Sequence, residues 1–249
     1  MKFLNYISFR VIPFLTGQHK APDVYLTNIN YLNNRQLKKS MLNSIRYIKG
    51  KCVDIGSGTS PYKRYIIDNV SEYIAIDKSH IHKHMFQTSK EKHIDADIKD
   101  LPFNDSSIDS IILTQVLEHI DNPFEALSEV KRVIKRDGII ILSVPFIYHA
   151  HATPYDYFRF SEYGLKNICK DHDFEILEFE YQGYLGTTLF SILNGFIWQL
   201  STKSKLLRNT ILLPFLLLIF TVNNTVGVLL DFIKLKDFTP NFWLVLKSK

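Results

Sequence analysis

The chain has 249 residues, of which 46% are hydrophobic and 22% are charged. This is enough apolar material for one large α/β domain, and we expect one catalytic domain. The formal net charge is +5, but the lysines and arginines are spread along the chain, which argues against a nucleic-acid partner. The two cysteines, Cys52 and Cys169, lack metal-type spacing and favour a reduced, cytoplasmic compartment.

Residues 1–49 are predicted to form an N-terminal segment and a helix. The apolar stretch at residues 1–10 is broken by polar side chains and lacks a small-residue cleavage site, so we expect no secretory signal. Between Asn33 and Ile48 the apolar residues recur at the spacing of one helical face. This pattern predicts a helix that packs just before the first strand.

The stretch KCVDIGSGTSPY at residues 51–62 predicts a buried strand, a ligand-binding loop and the first turn of a helix. Gly56 and Gly58 permit a tight turn with exposed backbone, and Pro61 suits a helix start. A dinucleotide loop would carry glycine at position 61 and bind a pyrophosphate, which the carboxylate of Asp54 would repel. That carboxylate would attract a cationic amino group or a sulfonium centre, and S-adenosylmethionine carries both. The alternative is that Asp54 merely caps a turn.

A second apolar run, residues 72–77, also ends in an acid, Asp77, about 20 residues past the loop. A carboxylate there can accept hydrogen bonds from both hydroxyls of a ribose. Asp97 ends a short third strand, where it can accept a hydrogen bond from an adenine amino group, and Ile98 can pack on the ring. The fourth strand is predicted at Ile108–Leu113.

The polar segment between the second and third strands contains four histidines at short spacing. No cysteine or acid stands among them at ligand spacing, and several lysines crowd the same segment. We therefore expect a surface connection and no metal site. The histidines are His80, His82, His84 and His93.

These motifs together resemble the class I S-adenosylmethionine-dependent methyltransferases, and in particular the small type 11 enzymes of bacterial surface-glycan and lipid-linked sugar pathways. The resemblance covers roughly residues 50–182 and the last strand. It implies an α/β fold with a Rossmann-like seven-stranded sheet, and S-adenosylmethionine as the cofactor. Ser60 departs from the pattern, since many members have a third glycine there. The motifs are Asp54-x-Gly-x-Gly, Asp77, Ala96-Asp97 followed by Leu-Pro-Phe, Asp109-x-Ile-Ile and Val116-Leu-Glu-His-Ile120.

The resemblance assigns roles to several residues. Asp54, Gly56 and Gly58 would bind the methionine end of the cofactor, Asp77 its ribose and Asp97 its adenine. Glu118-His119 follows the fourth strand, and we expect His119 to shape the substrate pocket. Residues 122–135 are predicted to form a helix, with Gly138 as the signal that ends it. The apolar run Ile139–Val144 is predicted to be the fifth strand.

The loop at residues 145–160 is rich in His, Tyr, Asp and Arg and follows the fifth strand, so it is the predicted acceptor site. His149 or His151 could accept a hydroxyl proton near neutral pH, and Asp156 could orient either imidazole. Arg159 could hold an anionic or sugar substrate, with Tyr155 beside it. The pattern does not decide which histidine is the base.

Phe174–Tyr181 and Asn241–Leu246 predict the sixth and seventh strands, with an apolar helical insert at residues 184–233 between them. Residues 181–202 and 209–230 contain no charged side chain. If both stretches crossed the membrane, the basic connection Lys203–Arg208 between them would lie on the outer face. Basic loops usually lie on the cytoplasmic face instead. We therefore favour helices in the cytoplasmic membrane interface; a buried subdomain or homodimer interface is the alternative.

The predicted organisation is a methyltransferase core at residues 50–183, the insert, and a C-terminal segment, 234–249, that completes the sheet. The predicted function is S-adenosylmethionine-dependent O-methylation of a glycan, a lipid-linked sugar or another small hydroxyl acceptor. The alternatives are a nicotinamide-dependent sugar oxidoreductase, which Asp54 and the missing third glycine disfavour, and a binding protein without turnover.

Overall fold

The computed structural model describes residues 25–78, 93–201 and 207–249. The expectations for residues 1–24, for His80, His82 and His84, and for most of the basic connection lie outside these residues. The chain divides into two compact units. The sheet unit contains Ser40–Phe146, Ala150–Glu180 and Phe242–Lys249; the helical unit contains Ile147–His149, Tyr181–Asn241 and the described part of Met1–Lys39.

The predicted seven-stranded α/β sheet is confirmed, with the strand order β3-β2-β1-β4-β5-β7-β6. Strands β1 to β5 pair in parallel, so their carboxyl ends lie at one edge of the sheet. The strands are β1 (Lys51–Ile55), β2 (Glu72–Asp77), β3 (His93–Asp95), β4 (Ile108–Thr114), β5 (Ile134–Pro145), β6 (Phe174–Tyr181) and β7 (Asn241–Ser248).

The last strand pairs antiparallel with β6. The N–H of Gln182, just past the end of β6, donates to the carbonyl of Asn241 at the start of β7. At the other end, the N–H of Lys249 donates to the carbonyl of Asp173. β7 therefore returns the chain into the sheet after the helical insert, between β5 and β6, and the predicted completion of the sheet by the C-terminal segment is confirmed.

The core of the sheet unit is formed by buried apolar runs within its central strands. Ile111, Ile112 and Leu113 of β4 are fully buried, as a parallel strand covered on both faces requires. In β7 the indole of Trp243 is also fully buried, and its Nε1–H donates to the hydroxyl of Ser44 at 3.0 Å. The indole thus adds apolar area without leaving a buried donor unpaired.

The fifth strand begins earlier than the sequence predicts. The preceding helix ends at Val133, and Gly138 lies inside β5 instead of capping that helix. The register between β4 and β5 shifts from Ile108↔Ile134 to Ser110↔Ile139. Residues 135–138 therefore form an irregular bulge in β5. Pairing with β4 has overridden the local helix signal.

The helices are α1 (Tyr31–Ser44), α2 (Lys63–Ile66), α3 (Pro123–Val133), α4 (Glu162–Asp171), α5 (Leu185–Ser201) and α6 (Leu213–Leu230). Two of them begin with side-chain caps that the sequence signals. Asn122 accepts a hydrogen bond from the Glu125 N–H at the start of α3, and Ser161 accepts one from Gly164 at the start of α4.

The helical unit is built around the contact between α5 and α6. Their backbones approach closely at two glycines, because a Cβ built on Gly186 would lie 2.1 Å from the carbonyl oxygen of Gly227. Further along, Asn194 donates to the side chain of Asn224 at 3.0 Å, and both residues are fully buried. Asn224 in turn donates to the carbonyls of Leu26 and Asn28.

Among the described residues, Leu213–Ile233 is the one helical stretch long and apolar enough to cross a membrane. It has 21 residues and a mean hydropathy of 2.0, and 22% of its most apolar window is buried. The core helix of a soluble protein can meet the same criterion, so this finding fixes no topology by itself.

Candidate functional site

A cavity of about 270 Å³ opens at the carboxyl ends of β1, β2 and β4. Ligands of open α/β sheets bind at this edge, so its position agrees with the sequence prediction. All of its lining residues belong to the sheet unit. They are Ile55, Gly56, Ile76, Asp77, Lys78, Ala96, Asp97, Ile98, Gln115, Val116, His119, Ile120, Ala152 and Tyr155.

The loop after β1 is shaped by backbone that only small residues accommodate well. Gly56 has φ +65°, and a Cβ there would lie 2.3 Å from Val116. Gly58 has φ +52°, and a Cβ there would meet no atom within 4 Å, so its backbone faces open space. Ser60 stands where the family pattern has glycine and adopts φ +50°. The loop keeps a left-handed conformation at that position despite the substitution.

Asp77 ends β2 and connects the loop to the cavity. Its Oδ2 accepts a hydrogen bond from the N–H of Gly58 at 2.8 Å, and its Oδ1 accepts one from the N–H of Lys78 at 2.8 Å. Each carboxylate oxygen can accept a further hydrogen bond. Asp77 therefore holds the glycine loop and lines the cavity at the same time.

Asp54 lies beneath the loop and is not among the cavity-lining residues. It is 2% exposed and accepts a hydrogen bond from the hydroxyl of Tyr73 at 2.5 Å. Burial raises the pKa of its carboxyl to about 7, with the nearby Asp77 adding to the rise and the Tyr73 hydrogen bond opposing it. Any attraction of Asp54 for a cationic ligand is thus strongest above neutral pH.

Asp97 and Ile98 both line the cavity, on the side formed by the segment after β3. Asp97 lies two residues beyond the strand, not at its end as predicted. Its carboxylate accepts a hydrogen bond from the N–H of Lys99 and pairs with the ammonium group of Lys78. Although partial burial opposes it, the Lys78 hydrogen bond lowers the pKa of Asp97. Ile98 is buried and gives this wall an apolar surface.

Three potential ligand groups converge beside the cavity: Glu118, His119 and His151. Glu118 is 0% exposed, and its Oε1 lies 3.7 Å from His119 Nε2 and 3.9 Å from His151 Nε2. Within the described part of the chain, neither of its carboxylate oxygens accepts a hydrogen bond. Burial raises the pKa of Glu118 to about 8. The two imidazoles meet edge to face, with ring centroids 4.8 Å apart.

The predicted substrate residues Tyr155 and Arg159 have different surroundings. Tyr155 lines the cavity, and its carbonyl lies 2.8 Å from His119 Nδ1. Arg159 forms a two-pronged ion pair with Asp156 at 2.6 and 2.7 Å. The Arg159 hydrogen bonds lower the pKa of Asp156 to about 2. Asp156 also accepts a hydrogen bond from the backbone N–H of His151. The Asp156–Arg159 ion pair therefore stabilises the loop.

The two candidate basic histidines fall in different units. His151 belongs to the sheet unit with Glu118 and Asp156, whereas His149 belongs to the helical unit. The imidazole of His149 lies against the ring of Tyr148. It is also close to Gly195, because a Cβ added to that glycine would lie 3.0 Å from the imidazole. Of the two, His151 is the one that the sheet unit brings beside the cavity-lining His119.

Several site residues escaped the sequence analysis. Glu118 was recognised only as half of a Glu-His pair, because nothing in the sequence indicates that its carboxylate is buried. Gln115 follows β4 directly, so its strand-end position was an available signal for a cavity residue. Tyr73 gave no signal, since its contact with Asp54 depends on the pairing of β1 with β2.

Comparison with known proteins places this site in a family context. Residues 53–142 match the family model described as a methyltransferase domain. An uncharacterized protein of Methanocaldococcus jannaschii is 34% identical over 116 residues, which make up 45% of this chain and 53% of that protein. The chain thus spans about half the length of this curated relative.

Solved structures share the fold at low sequence identity. A SAM-dependent methyltransferase from Archaeoglobus fulgidus superposes with a TM-score of 0.56 at 15% identity, covering 86% of this chain and 94% of that one. The [4+2]-cyclase SpnF superposes with a TM-score of 0.56 at 17% identity, covering 86% and 80%. These likenesses support the fold alone.

The family match and the strand order agree with the predicted fold. Residues 53–142 match the methyltransferase domain model, and the sequence motifs predict S-adenosylmethionine as the cofactor. The residues at the sheet edge fit that cofactor, because they combine an exposed glycine backbone, a strand-end carboxylate and an apolar wall at Ile98.

Proposed function

We propose that the protein transfers the methyl group of S-adenosylmethionine to a hydroxyl of a glycan or lipid-linked sugar. The observation that carries the proposal is Asp77, which binds the Gly58 backbone and lines the cavity at the carboxyl end of β2. In this assignment Asp77 accepts the ribose hydroxyls, Asp97 faces the adenine amino group, and Ile98 packs on the ring. The Gly56–Gly58 backbone and Asp54 serve the methionine end.

The reaction is a direct displacement. S-adenosylmethionine held by Asp77 and Asp97 would supply the methyl group to the acceptor oxygen, and the electron pair of the sulfur–methyl bond would remain on sulfur. The hydroxyl proton leaves toward the groups beside the cavity, among which His151 and His119 stand next to Glu118. Alignment of the acceptor with the methyl group accounts for most of the rate acceleration, and proton removal makes a smaller contribution.

We expect His151→Gln to lower turnover by roughly 100-fold, the scale of a lost acid–base or positioning group, while cofactor affinity changes little. The reason is that His151 lies on the acceptor side and is absent from the cavity lining. Transfer of labelled methyl groups to lipid and glycan extracts measures turnover, and calorimetry measures affinity. His172→Gln is the matched control, because His172 contacts the carbonyls of Ile168 and Phe124 and does not line the cavity. Normal turnover in His151→Gln would exclude His151 as a catalytic group, and normal turnover in single variants of His149 and Asp156 as well would exclude the whole loop.

The rival functions are separated by ligand binding and turnover. A nicotinamide-dependent oxidoreductase would bind NADH and ignore S-adenosylmethionine in a calorimetric titration. A binding protein without turnover would bind S-adenosylmethionine and label no acceptor. A [4+2]-cyclase has a similar fold, so the fold alone does not establish methyl transfer. The transfer assay is therefore the decisive measurement.

We also propose that the helical unit associates with a lipid surface at the cytoplasmic face. Large apolar side chains on α6 and just after it are exposed, including Phe215 at 61%, Leu218 at 63% and Phe232 at 76%. Several large apolar side chains exposed on one helix and just after it favour an interaction site there.

We expect the full chain to sediment with vesicles that contain anionic lipid, and high salt to release part of it, since headgroup attraction is screened. Phe215→Ser combined with Leu218→Ser should lower the bound fraction about tenfold or more, because each removes an apolar side chain worth roughly 2 kcal/mol of burial. Tyr163→Ser is the control, since Tyr163 is 74% exposed in the sheet unit. Resistance to alkaline carbonate would show integral insertion instead, and absence from vesicles would favour the buried-subdomain or dimer alternative.

A further inference from the structure

The buried carboxylate of Glu118 lacks a hydrogen-bond donor, and this calls for a physical explanation. It is 0% exposed, and both of its oxygens are without a hydrogen bond in the described chain. Leaving a buried carboxylate unmatched costs several kcal/mol, by the order of magnitude known for buried polar groups. The groups that face it are two imidazole nitrogens at 3.7 and 3.9 Å, which is too far for a hydrogen bond.

The spacing of these three groups matches an empty metal site. One ligand atom from each of Glu118, His119 and His151 lies within 4.8 Å of the others. Around a tetrahedral zinc ion with bonds of about 2.1 Å, ligand atoms lie roughly 3.4 Å apart. An inward shift of less than about 1 Å per side chain would therefore close the set around an ion.

A hydrogen bond on the far side of the His119 ring orients this imidazole for metal binding. A carbonyl oxygen can only accept, so the 2.8 Å contact of His119 Nδ1 with the Tyr155 carbonyl places the proton on Nδ1. The Nε2 atom, which faces Glu118, then carries the free electron pair that a metal requires. This arrangement is the usual support of a metal-binding histidine.

His151 needs a change of tautomer. Its Nδ1 lies 3.3 Å from the Arg159 guanidinium and 3.6 Å from Asp156 Oδ2. Metal binding through Nε2 requires the proton on Nδ1, directed at the Asp156 carboxylate. Arg159 brings a positive charge to this side, but its two-pronged pair with Asp156 compensates for it. A bound cation would favour the ionised form of Glu118, and with both imidazoles neutral the three ligands would then carry one negative charge.

We propose that Glu118, His119 and His151 bind a divalent transition-metal ion of the zinc type at the wall of the cavity. Two imidazoles and a carboxylate are a ligand set that leaves a coordination position open. Because His119 lines the cavity, that position faces the space next to the cofactor. This role rests on the proposed methyl transfer: the open position would bind the acceptor hydroxyl and promote loss of its proton to water.

The test uses the full chain, stripped with a chelator and titrated with Co²⁺, whose visible absorption reports its coordination, and then with Zn²⁺ in competition. We expect one high-affinity ion per chain. Glu118→Gln should weaken binding at least about 100-fold, and Asp156→Asn about 10- to 100-fold, the range typical of a support residue. Glu118→Gln keeps the side-chain volume, and its unfolding temperature verifies that the variant is folded.

Two controls make the assignment specific. The triple variant His80→Gln, His82→Gln, His84→Gln removes the competing histidine-rich segment and should keep wild-type affinity, as should His172→Gln. Loss of the high-affinity ion in the triple variant, or its persistence in Glu118→Gln, would overturn the proposal. Absence of metal binding in a protein that still binds S-adenosylmethionine would also overturn it while leaving the proposed function intact.

Discussion

Asp77→Ala is expected to lower the affinity for S-adenosylmethionine about 100-fold or more while the sheet stays folded. The ribose would lose two charge-assisted hydrogen bonds, each worth roughly 1.5–3 kcal/mol, and 1.4 kcal/mol corresponds to a factor of ten. The loop would lose the carboxylate that binds the Gly58 N–H, so part of the loss would come from a less ordered backbone. Calorimetric titration measures the affinity, and circular dichroism verifies the fold.

Asp77→Asn separates these two contributions. An amide oxygen can still accept the Gly58 N–H, but the side chain has lost its charge and one acceptor. We expect this variant to lie between the wild type and Asp77→Ala. Asp68→Ala is the matched control, because it removes an exposed carboxylate that does not line the cavity. Wild-type affinity in a folded Asp77→Ala would refute the cofactor assignment.

Asp54→Asn is expected to stabilise the empty protein at pH 8 and to weaken cofactor binding. The pKa of Asp54 is about 7 in the folded protein, against an ordinary value of 3.8. Between these two values the folded state binds more protons than the unfolded state, so stability falls as pH rises from about 4 to 7. Three pKa units correspond to roughly 4 kcal/mol, which is the upper limit of what the neutral amide can recover.

Thermal unfolding from pH 5 to pH 8 measures this effect. Asp54→Asn should unfold at a higher temperature than the wild type at pH 8, and the difference between the two unfolding temperatures should grow by several degrees from pH 5 to pH 8. Cofactor affinity should rise with pH through 7 in the wild type only, because the carboxylate form attracts the ligand's cationic groups. If the wild type melted higher than the variant at pH 8, the ionised Asp54 would be stabilising and its pKa would not be raised.

The parts of the molecule that local sequence patterns determine were predicted well. The apolar runs that end at Asp54 and Asp77 are the strands β1 and β2, and the caps Asn122 and Ser161 start their helices. These features depend on hydrophobic pattern and on the hydrogen-bonding capacity of one side chain. Both are visible in a short stretch of sequence.

Features that depend on tertiary pairing were not predictable in the same way. Gly138 has the appearance of a helix end, but pairing with β4 draws residues from Ile134 onward into β5. The sequence did not reveal that the guanidinium of Arg159, predicted to bind substrate, forms an ion pair with Asp156. Glu118 and His151 are separated by 33 positions in the chain, and only the fold brings them within 3.9 Å.

The buried asparagines of the helical unit restrict how α5 and α6 can slide against each other. Apolar surfaces alone pack nearly as well after a shift of one helical turn. Such a shift would separate Asn194 from Asn223 and Asn224, and would withdraw Asn224 from the carbonyls of Leu26 and Asn28. Several buried amide groups would then lack partners, which is costly in any apolar surrounding, lipid included. The helix pair therefore has one strongly favoured alignment, and a lipid surface would meet an apolar face of fixed shape.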